Sequence, residues 1–151
     1  MNVAVGFDHR GMRLRAAVFA AVDAEDAEAL DLGVETDDVR VDYPDIARDI
    51  GMAIRSGRAV RGILVCGSGV GASIAASKIP GIRAAICHDV YSAHQGVEHD
   101  DMNVLCLGSE VVGPSLAHEL VKSFLGATFL AEGRYLARLE KVEELEKLVD
   151  G

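Results

Sequence analysis

The 151-residue chain contains no run of about 18 uncharged apolar residues, so no segment is expected to cross a bilayer. The N-terminal stretch MNVAVGFDHRG reaches Asp8 before an apolar core long enough for an export signal has built up, so no such signal is expected. Positive charge is scarce. Fifteen Lys and Arg face 24 Asp and Glu, for a net charge of −9. A surface this acidic repels nucleic acid and anionic lipid, which excludes both as expected partners. It also repels an anionic metabolite, so a phosphorylated ligand would need local donors, and the few arginines are where to look. Cysteine is sparse as well: Cys66, Cys87 and Cys106. The last two sit in the apolar runs AAICHD and NVLCLG. An odd count at buried-looking positions, with no export signal, points to reduced thiols and a cytoplasmic protein. No linker, repeat or low-complexity tract divides the chain. With 50% hydrophobic residues, one domain over 1–151 with a genuine core is expected.

What is present is alternation. Strand-like runs occur at 3–8, 28–34, 62–66, 82–89 and 103–108. Helical patterns fall between them, at 10–24, 43–57, 71–79, 90–100 and 114–126. Leu14, Val18 and Val22 line one helical face, and so do Ile46, Ile50 and Ile54; Pro44 and Pro114 stand at helix starts. The strands are apolar without polar alternation, as in a parallel sheet covered on both faces. The expected fold is therefore α/β: a doubly wound, Rossmann-like three-layer sandwich with a five-stranded parallel sheet of order 2-1-3-4-5. Ligands of such sheets bind outside the carboxyl ends of the strands. The tail 134–151 spaces Leu136, Leu139, Val142, Leu145 and Leu148 along a charged helix, which could pack on its own sheet or on a second subunit.

The stretch GILVCGSGVGAS, 62–73, ends an apolar run in Cys66 at the mouth of a glycine turn, where the thiol reads as exposed. A helix start preceded by glycines offers free N–H groups and the positive end of a dipole, and that field favours the thiolate of a cysteine just before it. A dinucleotide fingerprint is discounted, because the loop follows the third strand and the chain is too short for both halves. A cysteine phosphatase loop fails for lack of an arginine between Cys66 and Lys78. A phosphocysteine carrier and a carbon-to-carbon proton transfer base remain open, against the bland alternative of a core cysteine beside a turn. Asp8 and His9 end the first strand, while His99 and Asp100 stand just before the fifth. Asp8 could merely cap a helix. Their convergence with Cys66 on one sheet edge favours proton transfer. HQGVEH is one residue too long for H-x-x-E-H and lacks a third ligand, so no metal and no cofactor are expected.

The stretches GFDHRG, DYPDIA, CGSGVGASIAASKIPGIRAAICHD, EHDDMNVLCLGSEVVG and EGRYLARL together resemble the ribose-5-phosphate isomerase B / galactose-6-phosphate isomerase family almost end to end. The resemblance implies an aldose–ketose isomerase of a small phosphorylated sugar, working through a cis-enediol(ate). Cys66 would move the proton. Backbone N–H groups of Gly67, Ser68, Gly69, Val70 and Gly71 would hold the enediolate, with the Ser68 hydroxyl on the thiolate. His99 would open the furanose. Asp8 and His9 would bind substrate, Tyr43 would line the pocket, and Arg134 and Arg138 would grip the phosphate. The resemblance further implies a homodimer or dimer of dimers with sites shared between subunits. Ribose 5-phosphate to ribulose 5-phosphate is the default reaction. A four- or six-carbon sugar phosphate, a phosphocysteine carrier and a non-catalytic sugar-phosphate sensor are the alternatives.

Two positions depart from the family. Asp100 stands where asparagine is usual; it accepts where the amide could donate. Glu110 stands where a phosphate-binding arginine is usual. Arg10, beside His9, is the residue expected to compensate for that arginine and to pair with Glu110 or Asp100.

Overall fold

The computed structural model describes residues 1–150, with side chains through residue 148. Gly151, the end of the expected tail helix, lies outside the described residues. Strands β1 (Asn2–Phe7), β2 (Glu28–Asp31), β3 (Arg61–Cys66), β4 (Ala84–Ile86) and β5 (Val104–Gly108) form one parallel sheet. Helices α1 (Arg15–Ala24), α2 (Tyr43–Arg55), α3 (Val70–Ser77), α4 (Val90–Asp100) and α5 (Pro114–Gly126) connect and cover it, and α6 (Gly133–Leu145) follows. The α/β sandwich is as expected. Each strand sends alternate residues to opposite faces. Val3, Val5 and Phe7 of β1 join Leu105 and Leu107 of β5 under α1, α4 and α5. Ala4, Leu64, Cys66 and Cys106 pack under α2 and α3 with Ile46, Ile50 and Ala72. Gly6 admits α2 closely, since a methyl group there would lie 2.3 Å from Ile46 Cγ2.

The strand order corrects one expectation. It is 2-1-3-5-4, not 2-1-3-4-5. β5 lies between β3 and β4, with Cys66 opposite Gly108 and Ala84 opposite Val104. The reason lies in composition. β5 (VLCLG) is buried at every position, as an interior strand must be, while β4 is three residues long and only partly covered, as suits an edge.

The tail also differs from a single long helix. α6 ends at Leu145 and continues as a 3-10 turn, Glu146–Asp150. Only Leu139 of its apolar row is buried in the single chain, and Leu136, Val142, Leu145 and Leu148 are 40–70% exposed. A cleft of about 760 Å3 opens between the β4 edge, α4 and Val142, Leu145 and Glu146.

Candidate active site

β3 delivers Cys66 to the carboxyl end of the sheet's centre, and α3 begins four residues later. Gly69 turns the chain with φ +82°, a left-handed conformation that glycine adopts without steric cost. That turn carries the Gly69 N–H back onto the Cys66 sulfur, at N···Sγ 3.1 Å. Cys66 is only 4% exposed, so the expectation of an open thiol is corrected. The glycine loop folds over the sulfur instead of leaving it at the surface, and Ser109 N–H holds the Cys66 carbonyl at 2.9 Å from the other side. Cys87 and Cys106 are core thiols as expected. Burial, with the Asp89 charge behind it, pushes the Cys87 thiol up to about 11, and burial likewise raises Cys106.

The loop's other donors are unevenly committed. Val70 N–H donates to Ser68 Oγ at 3.2 Å, so the Ser68 hydroxyl serves the helix start in this structure and not the sulfur. The Gly71 N–H, in the first turn of α3, has no partner within the helix. Tyr43 opens α2 and lays its ring across Gly71: a methyl group at Gly71 would lie 2.4 Å from Tyr43 Cζ. Asp8 is buried, and its Oδ1 accepts the N–H groups of Arg10 and Gly11, both at 2.9 Å. It therefore fixes the turn that leads into the 3-10 segment Gly11–Leu14, whose N-cap is Arg10. His9 Nδ1 accepts the Val41 N–H at 3.3 Å, which leaves Nε2 as the protonated nitrogen of the neutral ring. Arg10 lies over Gly67, where a methyl group would come within 2.3 Å of its Cζ. Arg10 does not pair with Glu110; Arg13 does, at 2.8 Å. Nor is a pair formed between Arg10 and Asp100, which lines the cleft beside β4.

His99 and Asp100 do not join this group, and here the expected convergence is corrected. α4 leaves the carboxyl end of β4 at Asp89 and runs back to Asp100, and Met102 and Asn103 then lead into β5. A residue just before a parallel strand sits at the sheet's amino end. The 11 residues of α4 span about 16 Å at ~1.5 Å per residue, which separates His99 from the Cys66 loop within one chain. His99 instead stacks on Tyr135, with ring centroids 4.4 Å apart and planes at 23°. Arg134 donates to the Tyr135 hydroxyl at 3.0 Å and lies over its ring at 5.0 Å. Arg138 is exposed one turn further along α6. The expected site residues thus fall into two separate groups: Asp8, His9, Arg10, Tyr43 and the Cys66 loop at one end, and His99, Asp100, Arg134 and Arg138 at the other. Among the described residues no group of three or more His, Cys, Asp or Glu is arranged to hold a metal ion.

Tyr135, Arg13 and His88 are site neighbours that sequence reasoning missed. Gly108 N–H donates to His88 Nε2 at 3.0 Å, and Gly108 packs directly on Ser68. The only signal was the position of His88 near the carboxyl end of the expected strand 82–89, in ICHD. Burial lowers the pKa of His88 from 6.5, against a smaller opposing pull from Asp89. The unfolded chain therefore takes up this proton first as pH falls. The stability held in neutral His88 is present above about pH 6.5 and is lost as pH drops below it. Urea unfolding midpoints measured from about pH 8 to about pH 5 should fall, and His88→Gln should flatten that slope.

Known proteins share this architecture throughout. Ribose-5-phosphate isomerase B of Escherichia coli is 41% identical over 146 residues, 97% of each chain. D-erythrulose-4-phosphate isomerase 2 of Mycolicibacterium smegmatis is 36% identical over 144 residues, covering 94% of this chain and 95% of its own. The ribose-5-phosphate isomerase B structure from Clostridium thermocellum superposes with TM-score 0.92 at 41% identity, over 98% of this chain and 99% of that one. The Mycoplasma genitalium ribose-5-phosphate isomerase B structure, which holds ribulose-5-phosphate, gives TM-score 0.88 at 34% identity over 97% and 96%. These matches define the class: the chain is an enzyme, an aldose–ketose isomerase whose substrate is a phosphorylated sugar. Residues 3–142 match the Ribose/Galactose Isomerase family, and the chain belongs to it.

Proposed function

We propose that the chain interconverts ribose 5-phosphate and ribulose 5-phosphate by thiolate proton transfer through a cis-enediolate. The observation that carries this reading is the Cys66 sulfur under the Gly69 N–H at 3.1 Å, at the start of α3. The base and the amides that stabilise developing oxyanion charge then share one small volume, where such donors act without reorganising. Cys66 takes the proton from C2 of the open-chain aldose and returns it to C1. The Gly71 N–H and its neighbours hold the enediolate oxygens. His99 donates to the ring oxygen to open the furanose, with Tyr135 fixing its plane. Arg134 and Arg138, one turn apart on α6, take the phosphate from their side, and His9 Nε2 donates to the substrate from the Cys66 side.

The two half-sites meet between two copies of the chain. The Cys66 end of one copy faces the His99 end of the other, in a symmetric pair that forms two such sites. The uncovered row Leu136, Val142, Leu145 and Leu148, with the cleft beside β4, supplies an apolar surface for that pairing.

A four-carbon substrate is the second reading, favoured by the 36% identity to a D-erythrulose-4-phosphate isomerase. Such a substrate has too short a chain to close the same ring, so His99 would have no ring to open. Isomerisation assays over four- to six-carbon aldose and ketose phosphates in deuterium oxide decide between them. Five-carbon turnover with solvent deuterium at C1 or C2 is expected. Fastest turnover of the four-carbon pair supports the second reading. Phosphorylated Cys66 in the mass spectrum, without exchange, overturns both in favour of a carrier.

A further inference from the structure

We infer that Arg10 receives the anionic phosphate of the substrate at the Cys66 half-site, and that Arg13 masks Glu110 so that this carboxylate does not oppose it. The inference rests on the sugar-phosphate isomerase reading above and adds a charge arrangement to it.

Arg10 is held from both sides of its backbone. Asp8 Oδ1 accepts its N–H at 2.9 Å, and Ser109 Oγ donates to its carbonyl at 2.5 Å. That fixed backbone lays the guanidinium on the catalytic loop. A methyl group at Gly67 would lie 2.3 Å from Arg10 Cζ and 2.6 Å from both Nε and Nη2. Glycine at 67 leaves the space that Arg10 fills. Among the described residues, no carboxylate comes within ion-pairing distance of Arg10, although the chain carries an acidic excess of nine charges. A planar fork of donors without an acid, resting on a loop of amides, matches a phosphate monoester.

Glu110 is the acid best placed to spoil this. Its N–H donates to the Gly67 carbonyl at 2.9 Å, so its side chain starts from the loop that Arg10 covers. Its carboxylate is turned instead to Arg13 Nη2, at 2.8 Å. That pair is half exposed on both sides, 58% and 51%, and exposed pairs contribute little to stability. Removing Arg13 therefore reads out charge at the site and leaves the fold in place. Arg13 is a positioning residue; Arg10 touches substrate.

Steady-state kinetics on the sugar phosphate the wild type turns over fastest tests the arrangement. Arg10→Ala should raise KM about tenfold or more with kcat within about twofold, and Arg10→Lys should restore only part, because an ammonium lacks the bidentate fork. Arg13→Ala should raise KM about three- to tenfold by freeing Glu110, and Arg13→Ala/Glu110→Gln should return it to the wild-type value. A merely structural role for Arg13 predicts no rescue by Glu110→Gln. An unchanged KM in Arg10→Ala, or a raised KM in Arg13→Ala that Glu110→Gln does not rescue, overturns the inference. A wild-type chain that turns over no sugar phosphate overturns the underlying reading, whereas wild-type turnover with an unchanged Arg10→Ala variant overturns this inference alone.

Discussion

Cys66→Ala is expected to lower kcat/KM for the isomerisation by about 10²–10⁴-fold, the range in which a positioned base contributes. Incorporation of solvent deuterium into the sugar should fall by the same factor, because one group performs both. The size of the effect follows from geometry. The sulfur is the side-chain atom held by the loop, at 3.1 Å from the Gly69 N–H, and Ser68 Oγ is engaged by Val70. The substitution removes one atom from a residue of the buried cluster that includes Leu64, Ala72 and Cys106, and should cost about 1 kcal/mol of stability. A melting temperature within a few degrees of wild type then assigns the loss to chemistry and not to folding. Exchange at the wild-type rate in Cys66→Ala would remove Cys66 from the mechanism.

The second large effect is a recovery. His99→Asn should lose about 10²-fold or more on a furanose substrate, and alone each variant is nearly inactive. Mixed and allowed to exchange subunits, Cys66→Ala and His99→Asn chains form mixed pairs in which one of two sites has both residues intact. Random exchange makes half of the pairs mixed, so about a quarter of wild-type activity should return in a two-fold symmetric dimer. A site built inside one chain gives no recovery, because every chain then lacks one of its two groups. Native mass spectrometry confirms that mixed pairs exist; their presence without activity rejects the crossed site. The course of α4 motivates the experiment, since from Val90 to His99 it rises about 13 Å at ~1.5 Å per residue, back toward the amino end of the sheet.

The layers of the fold were legible because each strand and helix announces itself locally. Leu14, Val18 and Val22, and Ile46 and Ile50, are buried as their spacing requires. The order of the last two strands was not, because which strand neighbours β3 depends on contacts far apart in sequence. The full burial of VLCLG against the short, half-covered AAI decides it once burial is known. The Cys66 loop was legible as a cradle of amides but misleading about exposure. Glycine reports backbone freedom, and here that freedom wraps the chain over the sulfur. His99 was expected on the same sheet edge as Cys66 and lies at the opposite one. Its position before β5, in contrast to Cys66 after β3, already contained the answer, since the two ends of a parallel strand lie on opposite rims. Arg13 gave no sequence signal, because its partner Glu110 is 97 residues away.

The two outer strands have a consequence for how copies of this chain can touch. β4 offers three residues of unpaired backbone, and β2 offers four, bounded by Glu28 and Asp31. Neither flank is long enough to template a further strand from a neighbouring molecule, and β2 is also charged at both ends. The sheet is thereby protected from growing into a continuous ribbon, and contact between copies is left to side chains, which can be selective where backbone zippering is not.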